Sequence, residues 1–93
     1  MWGEMSELIH EHRTRIRTPE GIAYVARTYA LQQPDGTWEA WLEFEPLDPQ
    51  APALRTDRET SQASREALDT WASGLEATYF EGAFARARVI TPR

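Results

Sequence analysis

The chain has 93 residues, 41% hydrophobic and 27% charged, with no cysteine and a formal net charge of -5. That is enough for one small domain of ordinary globular balance (1–93), and it excludes disulfides and thiolate metal sites. All ten cationic side chains are arginine, no apolar run approaches the ~20 residues of a membrane span, and the opening MWGEMSEL has no signal-peptide character, so a soluble cytoplasmic protein with no global attraction for nucleic acid is expected.

Residues 1–11 read as an N-terminal segment whose Trp2, Met5, Leu8 and Ile9 could form a helical turn or two, although capping signals are poor. His10 and His12 follow. On a strand they share a face, a spacing that chelates metal weakly, but Glu11 points away and no third ligand is in sight. No metal or other cofactor is expected, and the two histidines read as polar residues near a fraying terminus.

Residues 12–57 read as sheet. Thr18-Pro19-Glu20-Gly21-Ile22 and Gln33-Pro34-Asp35-Gly36-Thr37 share the pattern x-P-[E/D]-G-x. Proline presets the first turn position, and glycine accepts the left-handed conformation that closes a three-residue hairpin loop. Three antiparallel strands follow from this, at about His12–Thr18, Ile22–Gln32 and Thr37–Glu45. The loops also set a register, with Tyr29 opposite Trp41, Arg27 opposite Glu43, Ile16 opposite Tyr24 and Arg15 opposite Val25. That register gathers Ile16, Ile22, Tyr24, Ala26, Ala30, Trp38, Ala40, Leu42 and Phe44 on one face. Arg13, Arg15, Arg17, Arg27, Glu39, Glu43 and Glu45 fall on the other, with Val25, Tyr29, Leu31 and Trp41 among them. A one-residue slip in either hairpin would mix the two sets, so the sorting supports the register.

Pro46-Leu47-Asp48-Pro49-Gln50-Ala51-Pro52-Ala53 reads as an irregular connection, and Ala53–Thr56 as a short fourth strand. Residues 58–88 read as one long helix, formed from about Ser61 to Ala87 and capped by Thr56 with Glu59, or by Asp57, Thr60 or Ser61. Leu68, Trp71, Ala72, Leu75, Tyr79 and Ala83 recur at helical spacing and should cross the sheet beside Trp38, Leu42 and Phe44. Phe80 and Phe84 lie well over 90° around such a helix from that stripe. Either Gly82 resets the face, or the two phenylalanines are covered by the N-terminal segment or by another chain.

No Gly-rich phosphate loop and no Ser–His arrangement is present, and the outer-face glutamates are better read as a cross-strand charge ladder with arginine than as catalytic acids. An enzyme is not expected. The surface that remains is the outer sheet face. Trp41, Tyr29, Arg15, Arg27 and Glu43 there, with Phe80 and Phe84 on the helix, are the candidate partner-binding residues. Trp, Tyr and Arg dominate binding hot spots, and alternating arginines and glutamates suit a two-fold contact, so a protein partner or a homodimer is expected. The alternative is a small nucleic-acid-binding domain that uses the arginine stripe with its interleaved aromatics.

Asp35-Gly36 in the hairpin, Thr60 before the helix and Glu66-Ala67-Leu68 within it resemble the HicB-like antitoxin fold over about Ile22 to Leu75. The family's glycine before the helix cap is replaced here by Arg58-Glu59. The resemblance implies an α+β fold: an antiparallel three- or four-stranded meander with one long C-terminal helix packed on one face, akin in shape to double-stranded RNA-binding domains. It also implies a non-enzymatic, antitoxin-type protein-binding module.

Overall fold

The computed structural model describes residues 6–90, so the expectations placed on Trp2 and Met5 lie outside the described residues. The elements in chain order are β1 (Glu7–Arg17), β2 (Ala23–Gln32), β3 (Trp38–Pro46), β4 (Leu54–Arg55), β5 (Thr60–Gln62), α1 (Arg65–Ser73), α2 (Ala77–Arg86) and β6 (Arg88–Val89). The fold is α+β, an antiparallel meander with two helices.

Both Pro-Gly turns close as their chemistry demands. Gly21 sits at φ +95° and Gly36 at φ +92°. Gly36 N–H donates to the Gln33 carbonyl at 2.9 Å, and Gln33 N–H donates to that of Thr37 at 2.7 Å. The Asp35 carboxylate accepts from the Thr37 amide at 3.0 Å and from its hydroxyl at 2.7 Å, which pins the loop. The register is the expected one: Tyr29 faces Trp41, Arg27 faces Glu43, Ile16 faces Tyr24 and Arg15 faces Val25.

Two strand boundaries depart from expectation. β1 begins at Glu7, five residues before His12, and its pairing with β2 shifts register between Leu8 and His10 and again between Glu11 and Arg15. Such bulges add twist and re-aim side chains at a sheet edge. The fourth strand, expected at Ala53–Thr56, is confined to Leu54–Arg55, and a second short strand follows it on the same neighbour. β4 pairs with Glu43 and Phe44, while β5 pairs with Trp38 to Ala40. Between them the Thr56 amide donates to the Leu42 carbonyl at 2.9 Å, its hydroxyl accepts from the Leu42 amide at 3.1 Å, and Glu59 N–H reaches the Ala40 carbonyl at 2.7 Å. Asp57 and Arg58 are the residues left over. β6 then pairs with β4, giving the order β1-β2-β3-β4-β6 with β5 also on β3.

The single long helix does not form. Thr60–Gln62 is strand, and α1 is capped at its start by Ser64, whose Oγ accepts from Ala67 N–H at 3.1 Å, and at its end by Gly74. α2 restarts at Ala77, and Gly82 lies inside it without breaking it. The reason is burial of both apolar faces on the sheet. A continuous helix would hold Phe80 and Phe84 away from the Leu68 stripe, whereas a break at Gly74-Leu75-Glu76 lets α2 turn its own apolar face onto the sheet.

The core consequently has two lobes. Under α1, Leu68 packs on Ala30 and Ala40, with Trp38, Trp71 and Ile9 at the rim. Under α2, Phe80 and Ala83 pack with Tyr24, Ala26, Leu42 and Phe44, flanked by Leu75, Tyr79 and Phe84. The inner-face alanines, all fully buried, admit the helices closely. The thinnest dimension is 18 Å, room for one sheet and one layer of helices.

Candidate functional site

The period-two alternation of β2 and β3 that builds the core also presents Val25, Arg27, Tyr29 and Leu31 beside Glu39, Trp41, Glu43 and Glu45 on the outer face. No helix covers that face among the described residues. Trp41 lies at its centre and is only 5% exposed. Its indole N–H donates to the Glu43 carboxylate at 2.9 Å, and the Arg55 guanidinium stands 4.5 Å over its ring. Burial pulls the Arg55 pKa down, against the upward pull of Glu43 and Asp57. A tryptophan between glutamates is therefore tolerated because its polar edge is hydrogen-bonded and its face is capped by an arginine head group. Leu31, Glu39, Trp41, Arg55, Asp57 and Arg58 line a shallow recess at this point, opposite the interruption between β4 and β5.

The expected charge ladder exists in altered form. Arg27 faces Glu43 in register, yet its guanidinium reaches Glu11 at 3.5 Å and Glu45 at 4.0 Å, while Glu43 accepts from the indole. Arg58 takes Glu39 at 3.3 Å. Arg13 and Arg15 make no ion pair among the described residues, and Arg17 donates to the Gly21 carbonyl at 3.0 Å. The stripe of β1 is thus the part of the ladder that the chain does not neutralise.

Phe80 and Phe84 stand elsewhere. Phe80 is 1% exposed, and Phe84 makes edge contacts of 5.1 Å with both Tyr24 and Phe44. The expected cover by the N-terminal segment or another chain, or a reset at Gly82, is replaced by a restart of the helix at Ala77, which aims both rings into the core. The sheet covers them.

Sequence reasoning missed two polar positions. His12 is buried rather than frayed: its Nε2 lies 2.7 Å from the Thr28 hydroxyl, and its ring packs 4.6 Å from Phe80 and 4.6 Å from His10. Burial, then the charge of His10, pushes its pKa down to about 4. The signal that could have found it is Thr28, a hydroxyl in an otherwise apolar inner-face row and therefore in need of a partner. Glu59, expected in a capping box, is a tether instead. Its carboxylate accepts from the Tyr79 hydroxyl and from Arg86 at 2.6 Å, which ties α2 to the approach to β5. Burial raises the Glu59 pKa, but hydrogen bonds from Tyr79, Arg86 and Thr56 outweigh it and hold the carboxyl below the usual range.

Among the described residues no group of three or more His, Cys, Asp or Glu is placed to hold a metal ion, and no helix is long and apolar enough to cross a membrane. No family model, no curated protein and no solved structure matches the chain.

Proposed function

We propose that this chain is a non-enzymatic, cytoplasmic protein-binding module that docks its partner on the outer sheet face. The observation that carries this reading is the one-sidedness of the fold. Both helices pack on the inner face, while the other presents Tyr29 and the Arg55 guanidinium that covers the buried Trp41, within a ring of arginines and glutamates. Aromatic and arginine side chains are the usual anchors of protein interfaces. The polar groups of the interior, His12 with Thr28 and Glu59 with Tyr79 and Arg86, hold elements together, which supports binding over catalysis. The resemblance to HicB-like antitoxins, carried by the meander and the Asp35-Gly36 turn, points in the same direction, toward a partner that is a protein.

Self-association about a two-fold axis is the form of docking to test first. The face is basic along β1 and acidic along β3, so a second copy turned by 180° sets arginines over glutamates. Sedimentation velocity over a wide concentration range is the test, on wild type and on Tyr29→Ala combined with Arg15→Glu. We expect a dimer that the double variant dissociates. A wild type that stays monomeric at the highest concentration, or a dimer that the variant leaves intact, overturns the assignment of this face as a self-docking surface. The unneutralised Arg13 and Arg15 favour a second reading, the binding of single-stranded nucleic acid, which predicts an oligonucleotide affinity that falls steeply with salt.

A further inference from the structure

Among the described residues, ion pairs occupy Arg27, Arg58, Arg65, Arg86 and Arg88. Arg55 lies over Trp41. Among the described residues, the cations on the strands left without a carboxylate partner or an aromatic one are Arg13, Arg15 and Arg17, three exposed side chains at alternate positions on one strand in a chain of net charge -5. That strand is also terminal in the sheet, pairing only with β2 among the described strands. An edge strand offers a row of backbone donors and acceptors. We propose that the C-terminal half of β1, Arg13 to Arg17, takes up an extended acidic segment of a partner protein, which adds to the sheet as a further strand and sets alternate carboxylates against these arginines. The proposal rests on the reading that the outer face docks protein, and it names the chemistry of the partner segment.

Spacing, register and charge all fit. Alternate side chains on paired strands repeat at roughly 6.7 Å on both, so a guanidinium at every second position meets a carboxylate at every second position. Arg15 to Arg17 keeps regular register with Val25 to Ala23, so the added strand pairs there, and Arg13 stands in the irregular stretch between Glu11 and Arg15 as a further cation at the end of the paired region. Beyond it the strand turns acidic: Glu7 pairs with Arg65 at 2.6 Å and Glu11 with Arg27, so an acidic segment is confined to the basic half. Val25, 7% exposed, lies with Arg13 and Arg15 in a recess that also includes Glu11 and His12, giving an apolar floor between the charges. The same neighbourhood disfavours a polynucleotide. Glu11 and Glu45 flank Arg27 and repel a continuous phosphodiester, whereas a peptide carries its charges only on alternate side chains. The strand edge also complements a peptide backbone and has no such match to a sugar–phosphate chain.

The test uses a labelled synthetic peptide of alternating Glu and Val, its Gln–Val counterpart, and a Glu–Val version with alternate amides N-methylated. Binding is read by fluorescence anisotropy and by amide shifts of the full chain. We expect the Glu–Val peptide to bind at low salt, to shift amides of Arg15 to Arg17, and to weaken roughly tenfold in Arg13→Gln/Arg15→Gln, in about 0.3 M salt, or when either the charges or the amide protons of the peptide are removed. Binding should survive Tyr29→Ala, and since self-association is read separately by sedimentation, failure here and failure of the central docking face are distinguishable. No binding at low salt, binding indifferent to the two arginines, loss of binding in Tyr29→Ala, or tighter arginine-dependent binding of an oligothymidylate each overturns the proposal.

Discussion

Acidification should unfold this protein through His12 before its carboxylates dominate. His12 is 7% exposed, hydrogen-bonded to Thr28 and packed on Phe80, so a charge placed on it loses its water and gains little in return. Its pKa falls from an ordinary 6.5 to about 4, burial being the main cause and the neighbouring His10 the second. Between those values the unfolded chain binds the proton and the folded chain does not. Stability therefore rises with pH across the window and is lost as pH falls from about 6.5 towards about 4. Linkage between about pH 7.5 and pH 4.5 gives a loss on the order of 2.5 kcal/mol, which at an m-value of about 1–1.5 kcal/mol/M lowers the urea midpoint by roughly 2 M. The assay is urea unfolding followed by tryptophan fluorescence at the two pH values, on wild type and on His12→Gln, which keeps a polar partner for Thr28 and cannot titrate. Glu59 is the same in both proteins, so its contribution cancels in the comparison. If wild type and His12→Gln lose the same stability on acidification, the buried-imidazole argument is wrong.

Gly36→Val should cost about 1–2 kcal/mol, from the left-handed backbone alone, because a Cβ built at Gly36 meets no atom within 4 Å; equilibrium urea unfolding checks it, and an unchanged midpoint contradicts the turn assignment. Phe80→Ala, at a position 1% exposed under His12, should cost about 3–5 kcal/mol in the same assay, while a loss below about 1 kcal/mol would place the ring outside the core. The Tyr79 phenol is raised to about 12 by burial and by its bond to Glu59, so ultraviolet titration should show one tyrosine ionising well above the ordinary value of about 10. Folding stability from this group is present below about pH 10 and lost as pH rises towards about 12, and Glu59→Gln should bring the titration down.

Of the candidate surface, the arrangement around Tyr29 and Trp41 was legible in the chain, because two hairpins of fixed loop length dictate which side chains stand opposite one another. What covers Trp41 was not. Arg55 reaches it from a strand whose place beside β3 depends on the interruption at Asp57 and Arg58, a long-range pairing with no local signature. Helical periodicity carried through Gly74 sets Phe80 and Phe84 off the core stripe and calls for a cover from the N-terminal segment or another chain, whereas the sheet itself receives them. A glycine inside a helical pattern is often tolerated, and only the packing of two core lobes shows that the chain turns there.

The sequence by itself determined the two Pro-Gly turns, the register they impose and the separation of an apolar from a charged sheet face, since turn geometry and the two-residue repeat act over a few neighbouring residues. Tertiary structure alone decided the bulges that carry β1 past β2, the burial of His12 against Thr28 and Phe80, the division of the helix, and the tether from Glu59 to Tyr79 and Arg86. Each of these joins segments distant in the chain, where the outcome follows from which arrangement fills the core and satisfies its buried polar groups, and no local preference encodes that.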